Sequence, residues 1–259
     1  MAKPKREGYC AICGTHGPLT FEHVPPKKAY NDRPVTLIEF EKMIRLAPGE
    51  RAKGPLQRQG MGAYTLCGTC NNNTGSWYGG AFIDWCAQGM DILQRARGRP
   101  TLIYPHRIYP LRVIKQIVTM FFSANPQGLR HHADLVRFVL NKEHRYLSPT
   151  YRVFVYYNNV GRTRLLGFAA LLDTNTGSNT LMSEITFPPF GYVMTLDTPP
   201  PDERLIEITY FARSDYDAQT SLPLRLPVLP THVGVPGDYR EEDQIMREAA
   251  QEAAQNVMC

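Results

Sequence analysis

The sequence predicts an α+β protein: a small metal-bound module at the N-terminus, then a helical pair and an antiparallel β-rich region. Three observations predict this. Two Cys-x-x-Cys pairs lie in the N-terminal third of the chain. Apolar residues recur at helical spacing over residues 71–93 and 111–124. After residue 150, short runs rich in Val, Tyr, Phe, Ile and Thr are separated by turn sequences, which is typical of strands.

The bulk composition excludes several classes of protein. With 259 residues, 43% of them hydrophobic, the chain is long enough for one large core or two smaller ones. No stretch reaches eighteen apolar residues, so we expect no membrane span. The N-terminus is charged and lacks the apolar segment of a signal peptide. We therefore expect a cytoplasmic protein.

The charge distribution favours a polyanionic partner. The formal net charge is +5. One stretch contains six basic residues and no acidic residue: Arg95, Arg97, Arg99, Arg107, Arg112 and Lys115. A basic surface of this kind is typical of nucleic-acid binding. For any single lysine or arginine, ordinary solvated surface is the simpler interpretation.

Four of the six cysteines form the two pairs: Cys10, Cys13, Cys67 and Cys70. In a reducing compartment, paired Cys-x-x-Cys sequences predict metal binding rather than disulfides. Two thiolates two residues apart span one edge of a tetrahedral zinc site, and zinc bound in this way stabilises a small fold. A redox-active pair is the alternative. Cys86 lies in an apolar helical stretch and is expected to be a buried thiol, and Cys259 is given no role.

Short elements surround the two cysteine pairs. Residues 19–24 predict a strand that Pro25 and Pro26 terminate, and residues 63–66 predict the returning strand. A helix is expected over residues 71–93. The long connection between the strands contains one helix-like segment, residues 37–46.

The remainder predicts a second domain, with a boundary between residues 1–97 and 98–259. Residues 98–110 are rich in Pro, Arg and Tyr and are interpreted as a linker. Residues 222–237 are rich in proline and are expected to be irregular. Helices are expected over residues 111–124, 133–141 and 239–257, and strands over residues 151–157, 165–172, 183–187, 191–196 and 205–211.

Between the cysteine pairs lies the dipeptide Glu22-His23, and Asn71 directly follows Cys70. This arrangement resembles the HNH (ββα-metal) endonuclease family. It is most similar to the members with four zinc-binding cysteines, the phage endonuclease VII-like resolvases. The resemblance covers about residues 9–93. It implies a zinc-stapled ββα-metal module, in which the two strands form a hairpin and the helix packs across it.

The resemblance also implies a role for each residue. The four cysteines would bind structural zinc, His23 would be the general base, and Glu22 and Asn71 would bind a catalytic Mg²⁺ or Mn²⁺. A packed histidine, a surface carboxylate and a helix cap are the structural alternatives. Asn72 and Asn73 are rival ligands. The family more often has Asp or His at the position of Glu22, and Gly75 stands where some members have a further histidine ligand.

The implied activity is metal-dependent hydrolysis of phosphodiester bonds, with DNA as the expected substrate. Lys27, Lys28 and Arg33 are the expected phosphate contacts. A restriction or anti-phage defence nuclease, working as a homodimer, fits this picture. One alternative is a non-catalytic zinc-ribbon module that binds nucleic acid. Another is a nuclease that a partner or ligand activates through the C-terminal domain.

Overall fold

The computed structural model describes residues 6–39, 42, 53–172 and 179–257. Helices and strands are mixed throughout these ranges, which confirms the α+β prediction. The helix expected over residues 37–46 lies largely outside the described residues. None of the described helices is both long enough and apolar enough to cross a membrane.

The N-terminal part is built on a three-stranded antiparallel sheet in the order β1-β2-β5. Strand β1 covers Glu7–Tyr9, β2 covers His16–His23 and β5 covers Gly62–Cys67. The short strands β3 (Val35–Thr36) and β4 (Leu56–Gln57) pair within the long connection. The strands expected over residues 19–24 and 63–66 are therefore present, and they pair with each other.

The helix after β5 is continuous but changes its winding. Helix α1 (Gly68–Thr74) passes into a π-helical turn (Gly75–Gly79) and then into α2 (Gly80–Arg95). Several glycines lie at this change of winding, in the segment where the sequence predicts a weakened helix. π-Helical turns of this kind occur frequently at functional sites.

The C-terminal part contains a five-stranded antiparallel sheet in the order β11-β7-β10-β9-β8. Its strands are β7 (Tyr151–Tyr157), β8 (Arg164–Leu172), β9 (Asn179–Phe187), β10 (Phe190–Leu196) and β11 (Ile206–Glu207). The expected helical pair is present as α3 (Pro110–Ala124) and α4 (Ala133–Leu140), and α5 covers Glu242–Val257. The strand expected over residues 205–211 is shorter, because a 3₁₀ helix (Thr209–Arg213) replaces its second half.

The expected linker at residues 98–110 is instead mostly a strand. Strand β6 (Thr101–Ile108) pairs along its whole length with β12 (Thr220–Pro227). Strand β12 includes the first residues of the segment 222–237, which was expected to be irregular. Pro105 lies opposite Pro223 in this register. Proline is confined to edge strands because it cannot donate a ladder hydrogen bond, and both strands of a two-stranded sheet are edges.

One hydrophobic core contains side chains from both predicted domains. The indole of Trp85, on α2, stacks on the ring of Phe190 with a centroid separation of 4.5 Å. Its Nε1 donates a hydrogen bond of 2.9 Å to the hydroxyl of Tyr192. Cys86 is buried beside them, as expected. The domain boundary near residue 97 stays a prediction, and the packing joins the part that contains the four cysteines to the large sheet.

Candidate functional site

The four predicted cysteines converge. Their Sγ atoms all lie within 4.8 Å of one another, and those of Cys13 and Cys67 are 3.9 Å apart. A tetrahedral site with zinc–sulfur bonds of about 2.3 Å has edges of about 3.8 Å. The four cysteines can therefore hold a metal ion such as zinc. Within the part of the chain that the structure describes, no other group of three or more His, Cys, Asp or Glu side chains converges in this way.

Local geometry explains how the cysteines reach one point. The turn after Cys10 closes through a 3.0 Å hydrogen bond from the Gly14 amide to the Cys10 carbonyl. Gly14 has φ +72°, which glycine adopts without the steric cost of a side chain. Cys67 is the last residue of β5, and its sulfur accepts a hydrogen bond from the amide of Cys70 in the first turn of α1. The cluster thus links the turn before β2 to the start of α1.

The thiols differ in environment. Cys10 and Cys70 are buried, whereas Cys13 is exposed. A hydrogen bond from Cys70 lowers the pKa of Cys10 to about 4, and the same bond, together with burial, raises the pKa of Cys70 above its ordinary range. One thiolate is therefore favoured even before a metal binds. A bound cation would favour deprotonation of the others, because thiolates are the ligands.

Glu22 is a buried carboxyl group near the end of β2. It is 7% exposed, and no described residue forms a hydrogen bond with its side chain. Burial raises the pKa of Glu22 to about 8. A divalent cation beside this carboxyl group would favour the ionised form. Carboxylate and amide oxygens are ligands that suit a hard ion such as Mg²⁺.

His23 is the last residue of β2 and is held in one orientation. Its Nε2 lies 3.0 Å from the backbone oxygen of Gln59. A carbonyl can only accept a hydrogen bond, so we assign the ring proton to Nε2, and Nδ1 remains able to accept a proton. Partial burial, aided by the charge of Lys27, lowers the pKa of His23. The imidazole is therefore neutral near pH 7, as a general base requires.

Asn71 joins α1 to β2. Its Nδ2 donates a 3.0 Å hydrogen bond to Oγ1 of Thr20 and a 3.4 Å bond to the carbonyl of Phe21. No donor among the described residues contacts its Oδ1. The register of β2 against β5 shifts between Thr20 and Phe21, at the point where Asn71 bonds to the strand. His23 shares a face of β2 with Phe21, whose ring centroid is 4.9 Å from the imidazole.

The structural alternatives for Asn71 can be compared directly. The N-cap of α1 is Cys67, whose side chain accepts the capping bond, so Asn71 is not the helix cap. Asn72 is exposed. The backbone oxygen of Asn73 accepts a hydrogen bond from Ser76. In the described ranges, Asn71 is the asparagine of the three whose side chain bonds to β2.

Asn31 is a site residue that the sequence interpretation missed. Its side chain is 1% exposed and donates hydrogen bonds of 2.7 Å to the carbonyls of both Pro25 and Met61. Its Oδ1 accepts a 2.6 Å hydrogen bond from the amide of Met61. Asn31 therefore fastens the loop after His23 to the turn that supplies the Gln59 carbonyl. Its only sequence signal is an asparagine in a long connection, where this residue type often bonds to the backbone.

The predicted phosphate contacts Lys27, Lys28 and Arg33 are all exposed. They line one groove of about 650 Å³ beside the loop after His23. The three groups are therefore available to a ligand on the same side of the protein.

Two of the six basic residues between positions 95 and 115 have a structural role instead. The Lys115 ammonium is buried and donates 2.6 Å hydrogen bonds to the carbonyls of Phe138 and Asn141 at the end of α4. The Arg112 guanidinium lies over the rings of Tyr109 and Tyr216. These contacts remove both cations from the set of free phosphate ligands.

Comparisons with protein-family models, with curated proteins and with solved structures find no match for this chain. The resemblance to the HNH family therefore rests on the residues quoted above and on their arrangement.

Proposed function

We propose that this protein is a metal-dependent endonuclease of the HNH (ββα-metal) type that hydrolyses phosphodiester bonds in DNA. One observation carries the proposal. Asn71, next to the cysteine cluster, forms hydrogen bonds to the strand that bears the buried Glu22 carboxyl and His23. A neutral histidine with a defined tautomer ends the same strand.

In this proposal the four cysteines hold structural zinc, which fixes α1 against β2 and so fixes Asn71. Glu22 and Asn71 would hold Mg²⁺ or Mn²⁺. When bound, such an ion stabilises the negative charge that develops on the phosphate and on the leaving oxygen. Nδ1 of His23 would accept the proton of the attacking water, while the Gln59 carbonyl keeps the ring oriented. Lys27, Lys28 and Arg33 would position the phosphate backbone.

A second candidate is a zinc-containing module that binds nucleic acid without cutting it. It is favoured by the alternation of β2, which directs Glu22 and His23 to opposite faces of the strand. A binding module requires neither residue. The two candidates differ in whether the wild-type protein cuts DNA at all, and in whether cutting depends on the His23 imidazole.

A cleavage assay decides between them. Purified protein is incubated with supercoiled plasmid, linear duplex, branched DNA and single-stranded RNA, with Mg²⁺ or Mn²⁺. We expect cutting of DNA that falls by about 10²- to 10⁴-fold in His23→Ala, the usual contribution of a general base. His131→Ala, which removes an exposed histidine elsewhere, is the matched control. Equal activity in His23→Ala and wild type would exclude His23 as the base. Binding of DNA without cleavage would favour the second candidate.

A further inference from the structure

The groove that contains Lys27, Lys28 and Arg33 has a second wall from the C-terminal part of the chain. Met90 and Gln94 of α2 line it. Thr163, from the loop between β7 and β8, and Phe187, from the end of β9, line it as well. We call this cavity of about 650 Å³ the Lys27 groove. The large sheet therefore takes part in a cavity that begins directly after the proposed catalytic strand.

The Lys27 groove carries an excess of positive charge. Three cations line it against one carboxylate, that of Asp32. In the described ranges, none of the three cations forms a salt bridge. The groove is close to the proposed base, since the charge of Lys27 acts on the His23 imidazole. A polyanion held here would therefore lie next to the proposed site of cleavage.

Aromatic side chains accompany these charges. Tyr30 lines the groove, is 43% exposed and has φ 67°. A left-handed backbone is costly for tyrosine, and such strain is found most often at functional sites. The half-buried Phe187 also lines the groove. Cations along a groove together with aromatic side chains are the combination that proteins use to bind single-stranded nucleic acid.

The groove is large enough for one unpaired base. Its volume is that of a site for a small ligand. We propose that the Lys27 groove binds an unpaired segment of the DNA strand beside the bond to be cut, with phosphates on Lys27, Lys28 and Arg33 and a base against Tyr30. This inference rests on the proposed nuclease function and adds to it the form of the substrate.

Binding is measured by fluorescence anisotropy on the full chain, without added Mg²⁺ or Mn²⁺, so that nothing is cut. The probes are a labelled single-stranded oligonucleotide and the same strand in a duplex. Tyr30→Ala removes the ring on which one base would stack, so this variant should bind the single strand roughly 5- to 150-fold more weakly than wild type. Tyr30→Phe keeps the ring and should bind as wild type does. Lys28→Ala should lower the slope of log affinity against log salt by about 0.7.

The contribution of the C-terminal part is tested by Thr163→Glu, which adds a carboxylate to the groove lining. This variant should bind the single strand at least fivefold more weakly, because the added carboxylate repels the DNA phosphates. Arg225→Ala removes one exposed cation outside the groove and should change the affinity less than twofold. Melting temperatures and metal content verify that each variant is folded.

The inference is overturned if Tyr30→Ala and Thr163→Glu bind the single strand as tightly as wild type. It is also overturned if both variants weaken duplex and single-strand binding equally, which would assign the groove to duplex DNA. The nuclease proposal fails separately. If the wild-type protein cuts no substrate but Tyr30→Ala still binds the single strand more weakly, the nuclease proposal is refuted and the binding role of the Lys27 groove stands.

Discussion

Replacement of Cys13 by serine tests whether the four-cysteine cluster holds a metal ion that stabilises the fold. Cys13 is exposed. Without a metal, exchange of its surface thiol for a hydroxyl should change the free energy of unfolding by less than about 0.5 kcal/mol. With a metal, the same change removes one of four ligands and weakens a cross-link between distant parts of the chain. The exposure of Cys13 therefore separates the two cases.

The size of the effect follows from the length of chain that the cluster closes. Cys13 and Cys67 lie 54 positions apart. A cross-link over that distance lowers the entropy of the unfolded chain by about 14 cal/mol/K, or about 4 kcal/mol at 25 °C, if the metal acts as a disulfide would. Unfolding entropy is about 2.1 cal/mol/K per residue, so complete loss of the cross-link should lower Tm by about 8 °C.

Differential scanning calorimetry gives Tm, and mass spectrometry of the metal gives the zinc content per chain. Cys86→Ser is the matched control, because Cys86 is buried but lies outside the cluster. It should lose stability by about 1–3 kcal/mol from the buried hydroxyl and still retain zinc. The claim that the cysteines hold a stabilising metal ion would be refuted by two results together. The wild-type protein would contain no stoichiometric metal, and Cys13→Ser would melt within about 1 °C of it.

Three further predictions concern the fold around the site. Burial lowers the pKa of Lys115 to about 7, so its neutral form is favoured on folding, and stability should rise from about pH 7 toward pH 10 by at most about 1.4 kcal/mol per pH unit. The free energy of unfolding of Lys115→Met, measured with urea, should lack this rise. Parallel pH dependences of wild type and variant would contradict the lowered pKa of Lys115. In α2, Gly80→Ala should stabilise by up to about 1 kcal/mol, because its Cβ meets open space. Gly89→Ala should instead destabilise by about 1–3 kcal/mol, because its Cβ would overlap the Phe190 ring, and thermal melts that rank the two in the reverse order would refute this. Asn31→Ala should lower Tm and DNA cleavage together while zinc content is kept, and unchanged cleavage would separate the loop from the site.

Local patterns predicted most of the elements, and the errors occur where pairing is long-range. Strands β7 and β10 and helix α3 follow from hydrophobic periodicity within single segments. Strand β6 was missed because its partner, β12, lies more than a hundred residues later, and prolines in both conceal the pattern. The basic run after residue 95 suggested a binding surface, but the burial of Lys115 depends on how α4 packs, which no local pattern reveals.

The sequence alone identified the four cysteines that can hold a metal ion, because the spacing within each pair is a local constraint that a tetrahedral ion imposes. It also singled out Glu22, His23 and Asn71 as candidates. Only the tertiary structure decided which strand Asn71 bonds to, which nitrogen of His23 remains available, and that Thr163 shares a groove with Lys27. These features depend on contacts between segments far apart in the chain, and the shared core that brings such segments together forms only when the whole chain packs.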